Sequence, residues 1–63
     1  NMKQSERKRL QIINAAEMLF ARDGVQGTSM DVLALQAEVS KRTIYNHFAT
    51  KEELLSCVLE HMM

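Results

Sequence analysis

At 63 residues and a formal net charge of zero, the chain has room for one small domain and little room for a deep ligand cavity. With no proline, two glycines and many Leu, Ala, Glu, Lys, Met and Gln residues, its composition favours an all-α fold. The single cysteine excludes an internal disulfide and fits a reducing cytoplasm. No apolar run approaches the roughly 20 residues that span a bilayer, so no membrane contact is expected.

The first predicted helix covers about residues 6–23. Apolar side chains recur there at spacings of three and four residues, which predicts one buried stripe along a helix. The stripe consists of Leu10, Ile13, Ala16, Leu19 and Phe20. Gly24 follows and is expected to end the helix, because glycine tolerates the left-handed backbone that commonly closes one.

Two short helices are predicted next, over residues 30–37 and 41–48. Ser29 and Ser40 precede them and are expected to act as N-caps. The inner face of the second helix contains Met30, Leu33, Ala34 and Ala37, and that of the third contains Ile44 and Phe48.

A fourth helix is predicted over residues 51–63. Thr50 and Glu53 form the Thr-x-x-Glu pattern of a capping box, in which each side chain satisfies a backbone donor at the other position. The apolar face that follows is broad and consists of Leu54, Leu55, Val58, Leu59 and Met62. Part of that face is expected to be a homodimer seam, a core stripe or, preferably, the junction to a further domain. The predicted architecture is therefore a three-helix bundle plus the start of a fourth helix.

Helices two and three are separated by about three residues, and the third opens with polar and basic side chains. That layout is typical of a helix-turn-helix, whose second helix enters the major groove of DNA. Segments 1–9 and 38–51 are both net positive although the whole chain is neutral, which suits contact with DNA. The side chains expected to face base edges are Lys41, Arg42, Thr43, Tyr45 and Asn46.

The segment Val39-Ser40-Lys41-Arg42-Thr43-Ile44-Tyr45-Asn46-His47-Phe48, followed by Thr50-Lys51-Glu52-Glu53-Leu54, resembles the DNA-binding end of TetR-family repressors. The resemblance extends upstream through Ala15-Ala16, Leu19-Phe20, Gly24 and Thr28-Ser29 in the family's order and spacing. It implies that residues 1–63 form the DNA-binding domain of a longer repressor, without its C-terminal effector-binding and dimerisation domain.

The resemblance also implies how the domain works. The expected partner is a pseudo-palindromic double-stranded operator, read by a homodimer of the full-length protein, with a small-molecule effector bound only by the C-terminal domain. The candidates for phosphate contact are Thr28, Ser40, His47 and Lys51, and the basic residues before Leu10 are expected to form an arm that approaches DNA. Lys51 has independent support, because the first turn of a helix favours an anion.

Two residues depart from the family pattern. Glu38 lies where the family usually has glycine, so either its φ is positive and strained or the turn differs. Its charge would also repel phosphate. Arg42 lies where the family often has glycine, and it could add a guanine contact, so the family's operator cannot be transferred to this chain.

Other interpretations of the same residues remain. Lys41, Arg42 and Asn46 could be solvated, and Tyr45 could pack on the domain edge and reach phosphate with its hydroxyl. His47 has no partner that would make it a metal ligand, and Cys57 with His61 supplies two of the four ligands of a structural zinc site. No cofactor or metal is expected, and no enzyme either, because no nucleophile has a neighbouring base. The alternative function is a helical protein-interaction module that uses the apolar face of helix four.

Overall fold

The computed structural model describes residues 3–63, which form four helices: α1 (Gln4–Asp23), α2 (Met30–Ala37), α3 (Lys41–His47) and α4 (Lys51–Met62). The all-α prediction is confirmed. Of the predicted domain 1–63, residues 1 and 2 lie outside the described residues. Helix α1 packs against both α2 and α4, and α2 packs against α3. The third and fourth helices end one residue earlier than predicted, because Phe48 has an extended backbone and Met63 follows α4.

The beginning of α1 differs from the prediction. The helix starts at Gln4, about two residues early, after Lys3, which makes no side-chain capping hydrogen bond. The sequence therefore holds no local signal for this boundary. Arg7, Lys8 and Arg9 lie in the first turns of α1, so the basic residues that are expected to approach DNA are helical here, and their contact with DNA stays a prediction.

The core is wider on α1 than the predicted stripe. Ile13, Ala16 and Leu19 are buried as predicted, whereas Leu10 and Phe20 are only half-buried. Ile12 and Ala15, which the stripe omitted, are also buried. Because α1 contacts helices on two sides, a single 3.6-residue stripe describes only part of its inner face.

The other helices supply the core residues that their patterns predict. All four predicted residues of α2 are buried, as are Ile44 and Phe48 at α3 and Leu54 and Val58 on α4. The remaining members of the predicted α4 face differ, since Leu55 is half-buried and Leu59 and Met62 are exposed.

The predicted N-caps are present. The hydroxyl of Ser29 accepts a hydrogen bond from the Val32 N–H at 3.1 Å, and that of Ser40 accepts one from the Thr43 N–H at 3.0 Å. Thr50 caps α4 through the Glu53 N–H at 3.1 Å. The return bond of the capping box goes elsewhere than predicted, because Glu53 accepts from the Ala49 N–H rather than from that of Thr50. Three of the four helices therefore begin where a side chain satisfies an unpaired backbone donor.

The glycine loop between α1 and α2 is shaped by its two glycines. Gly24 has the expected positive φ of 79°, but its ψ of 162° is extended rather than left-handed. Its N–H still closes α1 by donating to the Phe20 carbonyl. At Gly27 a Cβ would lie 2.4 Å from the Asp23 carbonyl oxygen, so no larger residue fits without a backbone shift.

Candidate nucleic-acid interface

Helices α2 and α3 are joined by Glu38, Val39 and Ser40, as the helix-turn-helix prediction requires. Glu38 has φ 59° and ψ 42°, the left-handed conformation, and its N–H donates to the last turn of α2. Of the two alternatives left by the sequence, the positive φ is the one observed. A left-handed non-glycine residue costs about 1–2 kcal/mol. The turn therefore keeps its usual shape at the expense of stability.

Helix α3 presents a polar surface on the side opposite Ile44, which is fully buried. We define the α3 polar surface as the exposed residues Lys41, Arg42, Tyr45 and Asn46. Tyr45 keeps 47% of its surface exposed. Four of the five residues predicted to read bases therefore share one solvent-facing side of a short helix that is anchored from behind.

Thr43, the fifth predicted base-reading residue, is half-buried. Its hydroxyl lies 2.8 Å from that of Ser40, which also caps the Thr43 N–H. Only one of the two hydroxyls can donate across this contact, so the other retains a proton for an outside acceptor. Ser40 and Thr43 thus form a small hydroxyl pair at the start of α3.

Lys41 is paired with a residue of the preceding helix. Its ammonium lies 3.0 Å from Oδ1 of Asp31 in the first turn of α2. Hydrogen bonding to Asp31 raises the pKa of Lys41 above its ordinary value, and the Coulomb attraction of the same carboxylate acts in the same direction. Sequence reasoning missed this pair, although the opposite charges at the starts of the two helices were a visible signal.

Thr28 and Lys51, two further candidates for phosphate contact, differ in exposure. Thr28 is buried, and its hydroxyl donates to the Gly24 carbonyl at 2.8 Å. Its side chain therefore does not face an outside phosphate, and we correct the sequence prediction at this position. Lys51 is half-buried, with its ammonium donating to the Thr28 carbonyl at 2.8 Å. This bond uses one of three ammonium donors and ties the start of α4 to the loop before α2.

His47 and Arg9 both lie near the Phe48 ring. The His47 ring is half-buried, with its centroid 6.2 Å from that of Phe48. The Arg9 guanidinium carbon is 4.7 Å from the Phe48 ring centroid, and Nη2 of Arg9 lies 3.3 Å from Sγ of Cys57. A cation over an aromatic face is favourable. Arg9 therefore links α1 to the end of α3 and to α4, which no sequence spacing indicated.

A concave surface lies between α1 and α4. This α1–α4 groove has a volume of about 500 Å³ and is mainly apolar. Its lining is Asn14, Glu17, Met18, Phe20, Ala21, Val25, Leu55, Val58, Leu59 and Met62. The exposed part of the predicted α4 face lies here, on different residues from the α3 polar surface.

Within residues 3–63, no three His, Cys, Asp or Glu side chains gather as metal ligands would, and Cys57 has Arg9 beside it. None of the helices in this range is both long and apolar enough to cross a bilayer.

Comparison with known proteins places these features in a family. The family model for "Bacterial regulatory proteins, tetR family" matches residues 12–58, which include all of α2 and α3. No solved structure is significantly similar to the chain.

The curated relatives are transcription regulators. The chain is 36% identical over 59 residues to the transcriptional repressor NicS of Pseudomonas putida, covering 94% of the chain and 28% of NicS. It is 38% identical over 58 residues to a transcriptional repressor of Streptomyces coelicolor, covering 92% of the chain and 30% of that protein. It is 33% identical over 51 residues to the transcriptional regulator UidR of Escherichia coli, covering 81% of the chain and 26% of UidR.

The chain thus spans less than a third of the length of these relatives. The matches agree with the prediction of a regulator rather than an enzyme. With its capped helix-turn-helix inside the matched range, the chain belongs to the tetR family of bacterial regulatory proteins.

Proposed function

We propose that this chain binds double-stranded DNA in a sequence-specific manner, with α3 in the major groove, and that it thereby represses transcription. The observation that carries the proposal is the α3 polar surface. Lys41, Arg42, Tyr45 and Asn46 are exposed on a helix that is capped at its start and anchored by Ile44. The major groove admits one helix, and base edges there offer acceptors and donors to such side chains.

The proposed contacts divide by type. Lys41, Arg42, Thr43, Tyr45 and Asn46 read bases, with Arg42 donating to guanine and Asn46 pairing with adenine. Ser40, His47 and Lys51 contact phosphate. The Ser40–Thr43 hydroxyl pair supports this role because it retains one proton to donate, and Lys51 has two ammonium hydrogens beyond its bond to Thr28.

The wider role follows from the relatives. NicS is named a repressor, and we propose the same sign of regulation for this chain. As part of a longer protein, it would act in the cytoplasm as half of a two-fold homodimer that reads a pseudo-palindromic operator. A separate domain of that protein would dimerise and bind a small-molecule effector, and the α1–α4 groove would pack against it. This accounts for the apolar groove, so we propose no second function for α4.

Binding of this chain to duplex DNA across a salt series tests the proposal. We expect an affinity that falls steeply with salt, because bound Lys and Arg side chains release counterions from phosphate. A variant with alanine at Lys41, Arg42 and Lys51 should lose this binding. Arg22→Ala, which removes one positive charge from the last turn of α1, is the charge control and should bind nearly as the unmodified chain does.

Equal binding by the triple variant and the unmodified chain would contradict the proposed surface. If the unmodified chain binds no duplex, the series is repeated on the chain fused to a dimerising coiled coil, which supplies two half-sites at once. Failure of the fused dimer as well would overturn DNA binding.

A further inference from the structure

The ion pair between Asp31 and Lys41 connects the two helices of the helix-turn-helix at their starts. We propose that Asp31 is a specificity-determining residue, which directs the Lys41 ammonium toward the acceptors of a base edge and away from backbone phosphate. The inference rests on the proposed function, since it assigns a role within the same DNA-binding surface.

The Lys41 ammonium has more donors than Asp31 uses. A lysine ammonium has three N–H donors, and Asp31 accepts one of them at 3.0 Å. Two donors remain, which is the number that the O6 and N7 acceptors of guanine can use. Lys41 can therefore bind a guanine edge without leaving Asp31.

The charge of Asp31 affects phosphate and guanine differently. A phosphate oxygen that approached the Lys41 ammonium would also approach the Asp31 carboxylate, and the two anions repel each other. The guanine edge carries no net charge and does not meet this repulsion. Asp31 therefore lowers the affinity of Lys41 for phosphate more than its affinity for guanine.

The start of α2 holds Asp31 in place. Asp31 lies in the first turn of α2, where the helix dipole favours a carboxylate. The Ser29 cap fixes the start of that helix through the Val32 N–H. A carboxylate in this first turn also adds negative charge at a helix start that would otherwise favour a phosphate. Asp31 thus weakens phosphate binding in two ways: it pairs with the Lys41 ammonium, and it adds negative charge at the start of α2.

The exposure of the pair leaves it little part in folding. The side chains of Lys41 and Asp31 remain 56% and 70% exposed. An exposed ion pair contributes little to stability, so substitution of either residue should leave the fold intact. The side chain of Arg42, the next residue, has no hydrogen bond or ion pair to any other of residues 3–63, so this restraint applies to Lys41 and not to its neighbour.

The test compares two duplexes. One is selected by the unmodified chain from a randomised library, and the other is a scrambled duplex of the same composition. Dissociation constants for both are measured over a salt series for the unmodified chain, Asp31→Asn, Lys41→Met and the double variant. Glu60→Gln, which removes an exposed carboxylate near the end of α4, is the charge control, and circular dichroism checks that each variant is helical.

We expect Asp31→Asn to bind the scrambled duplex more tightly and to lower the ratio of selected to scrambled affinity by about five- to tenfold, the lower end of the range for one base contact. Its salt slope for the scrambled duplex should steepen by about 0.9, the value for one added phosphate contact. In the Lys41→Met background the same substitution should leave the ratio unchanged. Glu60→Gln should leave the ratio and the slope as they are.

Three results would overturn the inference. An unchanged ratio in Asp31→Asn would show that Asp31 does not discriminate between bases and phosphate. An equal effect in the Lys41→Met background would show that Asp31 acts by general charge and not through Lys41. A failure of the unmodified chain and of its fused dimer to bind either duplex would overturn the proposed function together with this inference, whereas the first two results would leave DNA binding intact.

Discussion

The α3 polar surface and the α1–α4 groove are both open to solvent, but their exposed side chains differ in what they can contact. On α3, Lys41 is paired and the hydroxyls of Ser40 and Thr43 bond each other, so these groups lose little by facing water. In the groove, Leu59 and Met62 keep 55% and 63% of their surface exposed. Burial of apolar surface contributes about 25 cal/mol per Å², and this free energy is not gained while the surface is exposed.

The two surfaces therefore gain binding free energy from different kinds of contact. The polar side chains of the α3 polar surface bond to water or to their neighbours, and they gain by meeting charges and base edges. The groove gains only when another apolar surface covers it, which is the mark of an interaction site. Matched substitutions on α4, α3 and the turn between α2 and α3 can break or sharpen this contrast.

The largest expected effect separates the buried and exposed sides of α4. Leu54 is fully buried, so Leu54→Ala should lower the free energy of unfolding by about 2–5 kcal/mol, since it leaves a cavity in a small core. Leu59→Ala, the same substitution in the groove, should change it by less than about 0.5 kcal/mol. Urea denaturation measures both. A similar loss in the two variants would mean that the groove is already part of the core of this chain.

The next effect divides the DNA-facing residues. Arg42→Ala should change the base preference, with a loss of about 1–3 kcal/mol of discrimination at one position. Lys51→Ala should weaken all duplexes about equally and reduce the salt slope by about one unit. Selection from a randomised duplex library and salt titration measure the two effects. Equal weakening on all sequences by Arg42→Ala would remove Arg42 from the base-reading set.

A smaller effect is expected at the start of α3. Ser40→Ala removes the hydroxyl that accepts the Thr43 N–H, and loss of an N-cap costs about 1 kcal/mol. Ser56 lies exposed inside α4, where Ser56→Ala should be neutral or slightly stabilising because alanine is the better helix former. Thermal unfolding followed by circular dichroism compares them. No loss in Ser40→Ala would show that the cap does not hold α3.

The smallest effect concerns the strained turn. Glu38→Gly should raise the free energy of unfolding by about 0.5–1 kcal/mol, since glycine relieves the left-handed backbone but gives back part of the gain as unfolded-state entropy. Gln11→Gly, placed in the exposed face of α1, should instead lower it by about 1 kcal/mol. Urea denaturation measures the free energy of unfolding of both variants. A destabilised Glu38→Gly variant would indicate that the Glu38 side chain contributes more than its backbone costs.

Much of the local structure was readable in the sequence. Ser29, Ser40 and Thr50 located three helix starts, because a capping hydroxyl acts on a backbone donor within three residues. The start of α1 was placed about two residues late, since Lys3 gives no such signal. The five base-reading candidates were predicted as a group, and four of them share the exposed side of α3. Their contacts with DNA remain predictions.

By itself, the sequence determined the helices, the position of the turn between α2 and α3, and the family, because these depend on residues close together along the chain; the left-handed backbone of Glu38 was one of two alternatives until the structure showed it. The tertiary structure decided which residues meet across helices. It placed Arg9 over Phe48, paired Lys41 with Asp31, and buried the side chain of Thr28, a residue that the family resemblance had assigned to phosphate. These contacts join residues that are distant in sequence or on different elements. Their geometry follows from how the helices pack, which periodicity and capping do not specify.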